Sequence, residues 1–285
     1  MSLLDPILGE PAARSDAASR TPVRRPFASR LLADATDPAS PAGDGRTRPG
    51  KLIAVVGARG GVGATTVAVH LAAWLSEARG RTALVDLDLQ GGTVALALRL
   101  KPGPMPREAV EAPDRVDDLF MERATVAAPE RLAVLAADEP IKDAVEVGGP
   151  AVQALLNRLQ LRHDYAVVDV GRPQGRAARA VLEAASLCVL VGDASRPSLR
   201  DLVRLRAAAP SKPGARVMTV LNRLGAPGEL AMADLVRTLG EPPSHCLPYR
   251  PVPLAVAAGI GEPVFRHCRR FREAMAWLGA DAAGR

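Results

Sequence analysis

The stretch Val55-Val56-Gly57-Ala58-Arg59-Gly60-Gly61-Val62-Gly63-Ala64-Thr65-Thr66-Val67-Ala68 decides how the rest of the chain is read. An apolar, β-branched run enters a glycine-rich turn, and a segment with helical apolar spacing follows at once. Gly60, Gly61 and Gly63 let the backbone turn tightly and bring its N–H groups close to an anion. The next helix adds the positive end of its dipole. Gly60, Gly61, Val62, Gly63, Ala64, Thr65 and Thr66 are therefore the candidate phosphate-binding residues. The order strand, glycine loop, helix gives the motif its structural meaning.

Set against the P-loop pattern G-x-x-x-x-G-K-[ST], Gly63 and Thr65 match, Ala58 replaces the first glycine and Ala64 replaces the lysine. The Thr65 hydroxyl can still reach Mg²⁺, but no ammonium group stands in the loop to neutralise phosphate charge. The chain has four lysines among its 37 basic residues, at Lys51, Lys101, Lys142 and Lys212, and all lie outside the loop.

Working outward, the 285 residues are 48% hydrophobic and 3% aromatic with a net charge of +6, enough apolar content for one sizeable core. Bulk disorder, a collagen-like fibre and a disulfide scaffold are excluded. Cys188, Cys246 and Cys268 are too few and scattered for a disulfide framework, and no Cys/His spacing suggests zinc. No stretch approaches the roughly 20 apolar residues needed to span a bilayer, and the first ten residues lack a basic leader. The expected location is cytoplasmic.

Residues 1–50 mix proline, alanine, serine, aspartate and arginine and read as a disordered tail. Two short apolar groups interrupt it, at 3–8 and 27–32, and each is either a docking motif or an incidental cluster. From Lys51 onward, short apolar runs at 52–56, 82–85, 132–135, 165–168, 187–191 and 217–221 read as buried strands. Helical patterns at 65–78, 150–161, 175–185, 197–208 and 229–239 alternate with them. Such alternation predicts an α/β domain over 51–280, a mostly parallel sheet with helices on both faces, followed by a flexible end at 281–285. Ligands of such sheets sit at the carboxyl ends of the strands.

Three further groups fall at those ends. Leu84-Val85-Asp86-Leu87-Asp88-Leu89-Gln90 closes the second strand and Asp164-Tyr165-Ala166-Val167-Val168-Asp169 a later one. Leu221-Asn222-Arg223 closes the last of the runs. Carboxylates at such positions suit Mg²⁺, which takes hard oxygen ligands.

Taken together, Arg59-Gly60-Gly61-Val62-Gly63-Ala64-Thr65-Thr66, the two acidic strand ends, Asn222 and the closing, base-proximal segment Pro248-Tyr249-Arg250-Pro251-Val252-Pro253 with Ala257-Ala258-Gly259 and Glu262-Pro263 resemble the ParA/MinD superfamily. Its deviant Walker A motif reads K-G-G-x-G-K-T-T. The resemblance covers residues 51–278. It implies a P-loop NTPase fold of the MinD-like (SIMIBI) class, a nucleotide-bridged homodimer, and ATP with Mg²⁺ as cofactors. By position, Arg59 would reach the partner's phosphates, Asp88 would orient the attacking water in any hydrolysis, and Asn222 would lie against adenine. Thr65, Asp86 and Asp169 would serve the metal side. Within the superfamily, R-G-G-V-G-A-T-T with D-L-D-L-Q is most similar to the CpaE/TadZ branch of tight-adherence pilus assembly. That likeness implies pilus-assembly and secretion components as partners and a place at a cell pole or peripheral to the inner membrane. The cellulose-synthesis accessory protein BcsQ is similar around the loop but less so at residues 86–90. An active partition or positioning ATPase is the alternative. Because Ala64 discards the P-loop charge, the expected ATPase activity is slow at most.

Arg196, Arg200 and Arg204 recur every four residues and share a helix face, which suits either plain solvation or nonspecific DNA phosphates; Arg172, Arg176 and Arg179 are candidates either to extend it or to stabilise a partner's nucleotide. Val264, Cys268, Phe271, Met275 and Leu278 form a C-terminal apolar stripe, which suits either the core or weak membrane contact. His70, His163, His245 and His267 show no partner spacing.

Overall fold

Nearly continuous apolar strands need cover on both faces, and that is what the chain builds. The computed structural model describes residues 48–89, 91–101, 126–128, 131–136, 142, 148–171, 173–209 and 212–284. The 1–50 tail lies outside them except for its last three residues, as do Gln90 and Arg172. Eight strands, β1 (Lys51–Gly57), β2 (Thr82–Asp86), β3 (Val126–Ala128), β4 (Leu132–Leu135), β5 (Tyr165–Asp169), β6 (Leu187–Asp193), β7 (Arg216–Leu224) and β8 (His245–Pro248), form one sheet. Their order is β3-β4-β2-β5-β1-β6-β7-β8. Every pairing is parallel except β3 with β4. The chain is thus an α/β protein with the P-loop NTPase architecture.

Alternate side chains of the central strand face opposite layers. Ile53 and Val55 join one cluster with helix α1 (Ala64–Ala78) and the last helix, α8 (Arg269–Ala283). Leu52, Ala54 and Val56 join the other, with α3 (Gly149–Arg162), α4 (Gly175–Ala184), α5 (Arg196–Ala207) and α6 (Met232–Leu239). Two further helices, α2 (Val94–Ala97) and α7 (Pro251–Ile260), sit at the carboxyl edge of the sheet.

The sequence reading misses β3 and β8, both edge strands. In β8 only Leu247 is fully buried, so no apolar run marks it. The chain end expected to be flexible from residue 281 is helical through Ala283. Asp281 is held there by Arg216 Nη2 at 2.9 Å and by His245 Nε2 at 3.0 Å. The C-terminal stripe faces the core: Val264, Phe271, Met275 and Leu278 are all fully buried. That burial corrects the membrane reading of the stripe, because the apolar surface a bilayer would take up is already covered by α1 and the sheet. Among the described residues no helix is long and apolar enough to cross a membrane.

Candidate nucleotide site

β1 and β5 are register neighbours and so are β2 and β5, which brings the glycine loop, Asp86 and Asp169 to one edge. The loop leaves β1 with Ala58 N–H donating to the Val191 carbonyl at 2.8 Å. Gly63, at φ 88°, is the N-cap of α1, and its geometry demands glycine twice over. The backbone is left-handed, and a Cβ there would lie 2.4 Å from Asn222 Nδ2. No side chain caps α1. Its first N–H groups therefore stand without helical partners at the positive end of a helix of 15 residues, a setting that fits phosphate.

Asn222 sits beneath this loop and is 4% exposed. Its Nδ2 donates to the Val62 carbonyl at 2.9 Å, and its Oδ1 accepts from Arg223 N–H at 2.9 Å. The side chain expected to face adenine thus braces the phosphate loop while also lining the neighbouring cavity. Nothing in the sequence signals that brace, because it joins residues 160 positions apart.

On the metal side, Asp86 and Asp169 are both buried. Asp86 Oδ1 accepts from Asp88 N–H at 3.1 Å and Oδ2 from Val94 N–H at 3.2 Å. Gly92 passes so close that a Cβ would lie 2.2 Å from Asp86 Oδ2. Burial, and next the facing Asp169 carboxylate, push Asp86 up to about 7. Burial also raises Asp169, against the hydrogen bonds from the Thr65 hydroxyl and Gly171 N–H. Asp88 is exposed, and its Oδ1 accepts from Gly91 N–H at 2.8 Å. Two buried carboxylates beside a hydroxyl are the donor set that Mg²⁺ takes when phosphates and waters complete its shell. Among the described residues no group of three or more His, Cys, Asp or Glu side chains forms an all-protein cage. Thr65, Asp86 and Asp169 are the residues that would hold the ion, which would supply charge neutralisation to a bound phosphate.

A cavity of about 820 Å³ opens from Thr65 and Thr66 toward Tyr249 and α7, with Arg99, Arg223 and Arg250 among its lining. Arg99 and Arg223 hold left-handed backbones, φ 52° and 60°, which non-glycine residues rarely adopt. The sequence reading assigns neither of them a role. Arg59 lies exposed on the loop.

Residues 49–170 match the ParA family model, described as NUBPL iron-transfer P-loop NTPase. Among solved structures, the ParA family ATPase from Chlorobium tepidum TLS superposes with a TM-score of 0.72 at 21% identity, covering 81% of this chain and 98% of that one. The fold is that of ParA and MinD. The septum site-determining protein MinD of Pyrococcus horikoshii OT3, complexed with Mg-ADP, gives a TM-score of 0.70 at 18% identity over 81% of this chain and 95% of that one. An ATP complex of a McdA variant from Cyanothece gives 0.66 at 16% identity over 83% and 97%. A comparison with curated proteins finds no match. The glycine loop, the acidic strand ends and Asn222, on which the ParA/MinD resemblance rests, all meet at one edge of this fold.

Proposed function

We propose that the chain is a nucleotide-gated hub that binds Mg·ATP, pairs with a second copy of itself, and hydrolyses ATP slowly or not at all. One combination supports this reading: an uncapped helix N-terminus and a braced glycine loop, retained carboxylates, and Ala64 where the phosphate-neutralising cation is expected. Phosphoryl transfer depends on positioning and charge neutralisation. Backbone N–H groups and Mg²⁺ can hold the ground state, whereas loss of a cation beside the transferring group weakens the transition state more. Arg59 stands at the loop position from which a partner's phosphates would be reached. The loop sequence together with Asp86-Leu87-Asp88-Leu89-Gln90 supports a CpaE/TadZ-like role in pilus assembly, with secretion components as partners.

Calorimetric titration with Mg·ATP, paired with sedimentation and phosphate release, tests the reading. Binding and dimerisation with little phosphate release are expected, and Arg59→Ala weakens dimerisation. Absence of Mg·ATP binding overturns it, as does wild-type turnover equal to that of Ala64→Lys.

A further inference from the structure

Helices α5 and α6 enclose a second cavity of about 480 Å³, separate from the nucleotide site. Its apolar side is made by the partly exposed Val203 and Leu230 over the buried Leu199, and its rim by Arg196, Arg200, Arg204 and Arg237 with Asp234 as the acid among them. Arg200 pairs with Asp201 next to it at 3.0 Å, and Arg237 with Asp234. Arg196 and Arg204 have no ion-pair partner among the described residues. Arg206, on the same helix, shows the contrast. It is tied to Glu241 at 2.6 Å and to the Leu239 carbonyl, clamping the far ends of the two helices together while the groove stays open.

An apolar floor under a basic rim, with two arginines unpaired among the described residues, selects a ligand that is both apolar and acidic. Duplex DNA satisfies the rim but gains nothing from the floor, and a convex cylinder does not enter a cleft between two helices. The chain itself carries a segment of the required kind. Residues 3–10, Leu3-Leu4-Asp5-Pro6-Ile7-Leu8-Gly9-Glu10, hold four large apolar side chains and two carboxylates with no basic residue. The other apolar group, at 27–32, includes Arg30 and follows Arg24 and Arg25, so its charge does not complement the rim.

We propose that residues 3–10 of this chain dock into the α5–α6 groove and cover its arginines. The reach is sufficient. A flexible chain as long as residues 11–47, which join the segment to Arg48, spans about 35 Å as a coil and about 120 Å when extended. A domain of this size has a radius of gyration of about 17 Å. Tethering raises the local concentration of the segment to roughly the millimolar range, so a weak contact suffices to occupy the groove. Occupancy screens the face that otherwise attracts polyanions.

The test uses full-length protein and a labelled peptide of residues 1–12. In the Leu4→Asp/Leu8→Asp chain the internal segment no longer competes. The peptide is then expected to bind at least tenfold more tightly than to the wild-type chain, and adding Arg200→Glu/Arg204→Glu removes the binding. Arg200→Gln/Arg204→Gln, a milder change on the groove rim, gives the same loss if the charge-reversed chain fails to fold. Equal affinity for the wild-type and Leu4→Asp/Leu8→Asp chains, binding to neither, or binding indifferent to both arginine variants overturns the proposal. So does a duplex of about 20 base pairs that binds the wild-type chain through Arg200 and Arg204 and is not displaced by the peptide, which would give the groove to nucleic acid.

Discussion

The two ends of the candidate nucleotide site carry opposite charge. At the phosphate end, Asp86, Asp88 and Asp169 converge, Asp169 accepting from the Thr65 hydroxyl, and the loop's only cation, Arg59, is exposed. At the base end, Arg99, Arg223 and Arg250 line the large cavity with Glu262 as the acid among its lining residues. In a P-loop built for transfer, positive charge is concentrated where charge develops in the transition state. Here it lies around the large cavity, which under the proposed function would take the part of a nucleotide that does not react. If the proposed function holds, affinity and turnover draw on different residues and can be changed separately.

The largest expected effect comes from restoring the missing charge. Ala64→Lys is expected to raise phosphate release by about 10²-fold, the scale lost when one positioned electrostatic donor is removed. Steady-state release with saturating Mg·ATP checks it. An unchanged rate with unchanged affinity breaks the comparison, because turnover would then be limited elsewhere.

One side chain ties the two ends together. His70 is buried, with Nδ1 2.7 Å from the Thr66 carbonyl and Nε2 accepting from Val264 N–H at 2.9 Å. It thus joins the first turn after the phosphate loop to the turn that follows α7, and Phe271 packs edge-on at 5.2 Å. Burial lowers its pKa from 6.5 to about 4, so the ring is neutral and Nδ1 is the donor. Between those values the native chain binds fewer protons than the unfolded chain. The stabilisation is complete above pH 6.5 and is lost as pH falls toward 4, about 3 kcal/mol in all. Urea titrations of wild type and His70→Gln at pH 7 and at pH about 5 read the difference. Wild type should lose more stability on acidification than the variant, and parallel losses refute the link.

Removing a metal-side ligand should have a somewhat smaller effect. Asp169→Asn is expected to weaken Mg·ATP binding by about 10- to 100-fold, on the scale of altered metal sites, while leaving Mg²⁺-free nucleotide binding nearly unchanged. Calorimetry with and without EDTA separates the two. Equal weakening in both conditions removes Asp169 from the metal side.

The phosphate end was legible because its logic is local: glycines, a threonine and acidic strand ends announce themselves within a few residues. The strands at the centre of the sheet were legible for a related reason, since β1, β5 and β6 are buried on both faces and read as continuous apolar runs. The base end showed itself only through the family resemblance, in Asn222 and residues 248–253, and not through any periodic signal. β8 buries one of its four residues, and α7 is apolar yet mostly exposed, so neither carries a periodic signal. His70, Asn222 and Asp281 do their work across 194, 160 and 65 positions respectively, through contacts that spacing along the chain does not encode.

The smallest effect concerns Arg223, which follows Asn222 and ends on the cavity wall with φ 60°. A left-handed backbone costs a side-chain-bearing residue about 1 kcal/mol or more, and glycine relieves that cost while adding about 0.5–1 kcal/mol of unfolded-state entropy. Arg223→Gly is therefore expected to leave stability unchanged or raise it by up to about 1 kcal/mol, as a thermal melt would show. If the strained conformation persists because the guanidinium serves the nucleotide, the same variant weakens Mg·ATP binding several-fold, and Arg223→Lys, which keeps the charge and the strain, weakens it less. A variant that is more stable and binds as tightly as wild type makes Arg223 a turn residue. The positive charge at the base end would then have to rest on Arg99 and Arg250.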